Sequence, residues 1–183
     1  MSSARVVIKP ESLPERLSEH LVEPRLALPE LKQFVEHEVA LLDEQRFEEW
    51  LNLFADDGAY WVPAKPGQES PFNHVSLFYD DKHTLTIRVQ RLRHPAIHSQ
   101  IPRSKTVRLV ANFKLESHDA DPSLYRVISK FVMLEDRPGY ERRLFGGRYT
   151  HVLRRKGDGL EIVLKRVDLT NCDQSFPALT QPF

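Results

Sequence analysis

The chain has 183 residues, 26 basic and 26 acidic, for a net charge of zero. Its 40% apolar and 28% charged residues exclude wholesale disorder, and its neutrality argues against a chain-wide electrostatic grip on nucleic acid. The single cysteine, Cys172, excludes an intramolecular disulfide and any zinc or iron–sulfur site that needs several thiolates from this chain.

Residues 1–27 carry Pro10, Pro14 and Pro24 among charged side chains and read as an extended N-terminal arm. Residues 28–183 read as one α+β domain. No apolar run approaches the roughly 20 residues of a membrane span, and the first ten residues lack a signal-peptide core. The expected setting is therefore cytoplasmic, without membrane or nucleic-acid partners. Charge is unevenly spread: residues 1–60 hold 6 basic and 13 acidic side chains, a net of −7, and the remainder balances it at +7. That asymmetry reads either as an acidic helical face beside a basic sheet or as two complementary surfaces in an assembly.

A first helix is expected from about Pro29, a favourable first-turn residue. Leu31, Phe34, Val35, Val39, Leu41 and Leu42 fall on one arc of its wheel, opposite Lys32, Gln33, Glu36 and Asp43. Glu38 lies in the middle of the apolar arc, where Gln45 also falls. Arg46 to Phe54 repeats the pattern with Phe47, Trp50, Leu51 and Phe54. Asp56-Asp57-Gly58 is expected to stop this helix and turn the chain into a short aromatic strand, Ala59 to Val62. Residues 63–74 read as a loop, and a third helix is predicted from Lys82 to Arg93, ended by Pro95.

After Pro102 the period changes from helical to alternating. Val107, Leu109, Ala111, Phe113 and Leu115 alternate with polar residues, which predicts a half-buried strand. Further strands are predicted over Leu124 to Leu134, Tyr140 to Arg154 and Leu160 to Leu169. Arg137-Pro138-Gly139 and Lys156-Gly157-Asp158-Gly159 mark the turns. Gly146-Gly147 suggests a bulge or sharp bend. Helices first and a long antiparallel meander afterwards imply an α+β fold, with about three helices over one bent sheet, as a cone whose mouth could hold a ligand.

Glu38 is the leading candidate for chemistry. A carboxylate on an apolar helix face costs several kcal/mol unless paired or protonated. It reads either as a general acid or base facing a cone cavity, or as a structural carboxylate satisfied by buried donors. Metal readings are weak: Pro95 interrupts His94 and His98, and His74, Asp80, Asp81 and His83 follow no recognised ligand pattern. There is no nucleophile elbow and no phosphate loop. Cys172 reads as a buried or interface thiol, with Asp173 beside it raising its pKa. The basic cluster Arg88, Arg91, Arg93, Arg103, Lys105 and Arg108 lacks interleaved aromatics, so it fits a subunit surface better than RNA. Arg91, Arg93, Arg103 and Arg108 are the expected subunit contacts. Tyr60 and Trp61 read as core or as lining of the cavity mouth.

Several strings then resemble a known family. They are Glu38-Val39-Ala40-Leu41-Leu42-Asp43, Arg46-Phe47-Glu48-Glu49-Trp50-Leu51 and Asp56 to Pro63. They continue with Tyr79-Asp80-Asp81-Lys82, Arg88 to Leu92, Pro102 to Asn112, and Leu160 to Asn171. Their order and spacing over roughly residues 28–171 are similar to the small (beta) subunit of aromatic-ring-hydroxylating dioxygenases.

The resemblance implies a cone of the nuclear-transport-factor-2 and scytalone-dehydratase type. It implies a structural subunit with no catalytic residue, no cofactor and no metal of its own. It also implies assembly as a trimer of beta subunits with three catalytic alpha subunits. Those would carry a Rieske [2Fe–2S] cluster and a mononuclear iron(II), and would dihydroxylate an aromatic ring with O₂ and NADH-derived electrons. The electrons would arrive through a reductase and, in some systems, a ferredoxin. A Rieske centre needs two cysteines, which this chain lacks. The competing readings are a stand-alone cone-fold dehydratase or isomerase using Glu38, and a small-molecule-binding protein.

Overall fold

The computed structural model describes residues 28–94, 100–116 and 123–183. The expected arm at 1–27, and with it Pro95 and His98, lies outside the described residues. Among the described residues the chain forms α1 (Leu28–Asp43), α2 (Phe47–Asn52), β1 (Phe54–Pro63), β2 (Ser76–Asp81), α3 (Lys82–Arg93), β3 (Lys105–Glu116), β4 (Leu124–Asp136), β5 (Arg143–Lys156) and β6 (Gly159–Leu169). The strands make one six-stranded sheet in the order β2-β1-β6-β5-β4-β3. The architecture is the α+β cone anticipated from the order of helical and alternating segments.

α1 buries Leu31, Val35, Glu38, Val39, Leu41 and Leu42, the arc its 3.6-residue period defines. It stops without glycine. Gln45 takes a left-handed φ of 58°, Arg46 N–H returns to the Leu41 carbonyl at 2.8 Å, and Gln45 N–H returns to Leu42. These two returning bonds close the helix end. Gln45 is therefore past the helix rather than on its apolar arc. Its side chain donates to the Ser104 carbonyl at 2.8 Å.

α2 is shorter than its pattern implies, because β1 begins at Phe54 instead of Ala59. Asp56-Asp57-Gly58 does not turn the chain out of a helix. It forms an irregularity inside β1, where the pairing with β6 jumps between Phe54 and Ala59. Gly58 sits so close to β6 that a Cβ would lie 2.6 Å from the Ile162 carbonyl oxygen. The α2 end is held by Lys82, whose ammonium donates to the Leu51 carbonyl at 2.6 Å and the Phe54 carbonyl at 2.7 Å. α3 starts where Asp81 accepts the Thr84 N–H at 2.7 Å, an N-cap that lowers the Asp81 pKa.

Three features of the sheet differ from the alternation-based expectation. β1 runs parallel to β6, so the sheet is mixed and not a pure antiparallel meander. β2 lies in what reads as loop and helix approach, and pairs antiparallel with β1. β3 changes face midway. Val107 and Leu109 are 59% and 71% exposed, while Thr106 and Arg108 are buried. The cause is an irregularity between Ala111 and Lys114, with Asn112 at a φ of 56°. It returns Phe113 and Leu115 to the core side. The polar pair stays inward because Asp43, at the end of α1, takes the Thr106 hydroxyl at 2.9 Å, the Arg108 N–H at 2.8 Å and the Arg108 guanidinium.

Gly146-Gly147 is not a bulge; the β4–β5 register runs through it unbroken. Gly147 is needed for close approach. A Cβ there would meet the Asp168 carbonyl oxygen at 2.1 Å, and backbone cannot move aside cheaply. Gly147→Ala should therefore destabilise the fold by at least about 2 kcal/mol. Urea denaturation checks this, with Gly157→Ala as a control for exposed-turn strain alone.

Candidate functional site

The inner face of the sheet is largely apolar, with Thr106, Arg108, Ser129 and Glu135 as buried polar residues on β3 and β4 and a charged group at its centre. Pairing places His151 beside Lys165, with Val127 on the other flank of His151 and Tyr60 beyond Lys165. Glu38 descends onto this row from the apolar face of α1, and Trp50 reaches it from α2. Lys165 donates to Glu38 Oε1 at 2.6 Å, and the Trp50 indole N–H donates to the same oxygen. His151 Nε2 stands 3.6 Å from Glu38 Oε2, beyond hydrogen-bond range, and acts on it through space. Glu38, Lys165, His151 and Trp50 are all 0% exposed. The Lys165 ammonium also lies 4.8 Å from the centre of the Tyr149 ring. Tyr149 stacks in turn on Phe131, with centroids 4.0 Å apart.

Burial alone would raise the Glu38 carboxyl. The Lys165 charge, with His151 behind it, reverses this and holds the group at about 2. Burial pushes the Lys165 ammonium down, to about 8, against the opposing pull of Glu38. Burial also lowers His151, so its imidazole is neutral near pH 7. A carboxylate with so low a pKa, already accepting two donors and shut from solvent, is a poor general base at neutral pH. The geometry answers the two readings of Glu38 in favour of a buried structural carboxylate. Its donors are Lys165 and Trp50, with His151 beside them.

The other candidates disperse. Arg108 is buried within the chain, on Asp43 and, through Nη2, the Pro182 carbonyl at 2.5 Å. It is not offered to a partner, contrary to the expectation of a subunit contact. Arg88 pairs with Asp80 at 2.5 Å and lies 4.3 Å over the Phe78 ring, and Arg93 pairs with Glu48. Arg91 and Arg103 are exposed on separate parts of the surface, α3 and the approach to β3. Asp80 and Asp81 are engaged as an ion-pair partner and an N-cap, so they do not converge with His74 and His83. Among the described residues no group of three His, Cys, Asp or Glu is arranged to hold a metal. Cys172 is buried, its thiol pushed up by burial and by Asp173. Tyr60 and Trp61 are core, and Tyr60 accepts the Phe183 N–H at 2.9 Å.

Lys165 and His151 were readable only by parity. Each shares its strand face with buried apolar residues, Val167 and Leu169 in β6, Tyr149 and Leu153 in β5. A charged or titratable residue at such a position is the same signal that singles out Glu38 on its helix.

Residues 37–174 match the family model described as ring hydroxylating beta subunit. The chain is 36% identical over 140 residues to the small oxygenase component of the p-cumate 2,3-dioxygenase system of Pseudomonas putida, covering 75% of this chain and 76% of that one. Its fold matches the crystal structure of the benzoate 1,2-dioxygenase beta subunit from Burkholderia mallei. That match has a TM-score of 0.68 and 26% identity, over 80% of this chain and 92% of the other. A scytalone dehydratase-like protein from Novosphingobium aromaticivorans shares the fold at a TM-score of 0.60 and 12% identity, over 82% and 89% of the two chains.

Two outcomes follow for the buried centre. Glu38→Gln and Lys165→Met should each destabilise the chain by about 3–5 kcal/mol, because each strands the other's charge, and the double variant should lose clearly less than their sum. A thermal or denaturant double-mutant cycle measures this. The second outcome concerns acid. The folded Glu38 refuses a proton that the unfolded chain accepts below its ordinary value of 4.5, so its stabilisation is present above that pH and is lost as pH falls towards about 2. Melting temperature should therefore fall more steeply below 4.5 in the native chain than in the double variant.

Proposed function

The chain belongs to the ring-hydroxylating dioxygenase beta-subunit family, and on that premise we propose that it is the non-catalytic subunit of a multicomponent aromatic-ring dioxygenase. In this reading it is a rigid platform on which catalytic alpha subunits assemble, in a cytoplasmic complex of three alpha and three beta chains. The Rieske cluster and the mononuclear iron belong to the alpha subunit, which dihydroxylates the ring with O₂. A reductase, with or without a ferredoxin, delivers the electrons from NADH. This chain's single buried cysteine does not fit a Rieske ligand set, which agrees with that division.

The observation that carries the reading is the centre of the cone. Where an enzyme of this fold would need an accessible acid–base pair, Glu38 is consumed by Lys165 and Trp50 without exposure to solvent. The outer face of the sheet supports it from the other side. Val107, Leu134 and Leu144 are cross-strand neighbours, as are Leu109 and Val132, and Val107, Leu109, Val132 and Leu144 are exposed. A contiguous apolar patch of this kind marks a protein-interaction surface.

Capture of the tagged chain from its native cells should bring down an iron-containing chain of roughly twice its mass, with aromatic-ring dioxygenation found only when both are present. Turnover of a substrate by this chain alone, free of metal, would sink the reading. Leu109→Lys should change monomer stability by less than about 1 kcal/mol, since the residue is exposed, yet reduce complex formation about tenfold or more. Glu38→Gln should lower stability and yield of complex while leaving turnover per assembled alpha chain unchanged.

A further inference from the structure

The cone has a second polar focus, at the end of the sheet away from Glu38. Between the ends of β4 and β5 and the segment 171–178 lies a pocket of about 540 Å³. Phe145 and Phe176, with centroids 6.4 Å apart, contribute aromatic walls, and Tyr140 and Leu144 form part of its lining. Glu135 and Arg143, directly opposite each other on neighbouring strands, bring charge into it.

Glu135 is 3% exposed, and its Oε2 accepts Arg143 Nη2 at 2.6 Å. Arg143 is fixed in turn by donating to the Ala178 carbonyl at 3.1 Å. The other oxygen, Oε1, is buried and has no donor. The nearest candidate by register, the Thr106 hydroxyl across on β3, is already given to Asp43. A buried carboxylate oxygen left without a donor is unfavourable by about 1–3 kcal/mol, so a ligand that supplies the donor regains that energy. Because Arg143 already balances the Glu135 charge, a neutral donor suits the site better than a cation. The volume is that of a small-molecule site, for which about 300–1,000 Å³ is usual, and the lining joins the aromatic walls to polar residues that include the oppositely charged Arg137 and Glu141, with Asn171 and Ser175.

We propose that this pocket binds a neutral aromatic-ring compound bearing a hydroxyl or amine donor, with the donor on Glu135 Oε1 and the ring against Phe145 and Phe176. The site goes beyond the assembly role and does not depend on an alpha subunit.

The test titrates the purified full-length chain with phenol and with anisole, the same ring without its donor, followed by calorimetry and NMR. Phenol should bind saturably and anisole about tenfold or more weakly, the difference one hydrogen bond to a charged acceptor makes. Leu144→Arg, a change at a residue 70% exposed and so harmless to folding, should weaken phenol about tenfold by placing a long cation over the pocket. Glu135→Gln should bring phenol towards the affinity of anisole. Non-saturable phenol binding, equal affinities for the two probes, or undiminished binding in Leu144→Arg would overturn the proposal. So would an assembled complex in which a partner's side chain fills the pocket. Loss of complex formation with phenol binding intact would instead count against the assembly role alone.

Discussion

A carboxylate, an ammonium, an imidazole and an indole N–H meet at the middle of the cone, and the rest of the packing is arranged around them. The ion pair joins α1 to β6 across 127 residues of sequence. Removing either charge leaves the other stranded in an apolar interior, which is why such pairs constrain a fold more than they stabilise it. Trp50 adds α2 to the same oxygen, and His151 of β5 stands 3.6 Å from the other. One carboxylate thus ties α1 to α2 and to β6. The apolar cluster that surrounds it, from Leu31 to Phe183, supplies the bulk of the driving force without specifying so sharp a geometry.

The same logic explains the uneven charge of the sequence. Glu38, Asp43, Glu48 and Asp57 from the acidic first part pair with Lys165, Arg108, Arg93 and Arg154 from the basic remainder. Much of the asymmetry is therefore closed inside the chain, as contacts between the helical layer, the start of β1 and the sheet. Two of these pairs are buried at one or both ends; the Arg93–Glu48 and Arg154–Asp57 pairs lie nearer solvent and contribute little each. The large apolar residues left exposed on β3, β4 and β5, Val107, Leu109, Val132 and Leu144, lie among exposed Lys105, Lys130 and Arg148.

The helices were legible because each carries its own signal. The period of α1 and the Pro95 boundary after α3 need no tertiary information. The sheet was legible in part. The alternation in β3 predicts the wrong face for Val107 and Leu109, because a bulge at Asn112 reverses parity and because Asp43 recruits Thr106 and Arg108 inward. Neither cause is local to the strand. The parallel pairing of β1 with β6 was equally hidden, since it joins segments a hundred residues apart. Glu38 could be singled out from one helix wheel, but its partners could not, because they sit on elements whose only connection to α1 is three-dimensional. Arg108 shows the reverse error: read as part of a basic run, it is in fact the most enclosed member of that run.

A cone fold has one concave face, and its use depends on what fills it. In this chain the deep part is occupied by Tyr149, His151, Lys165 and Phe183, all buried. The shallow end is different. There Glu135 and Arg143 face each other at the margin of the core, and space remains beside them. Glu38 anchors α1 over the centre and Asp43 anchors its end on Thr106 and Arg108 of β3, one strand from Glu135, so the space beside Glu135 and Arg143 is bounded on its far side by the segment 171–178.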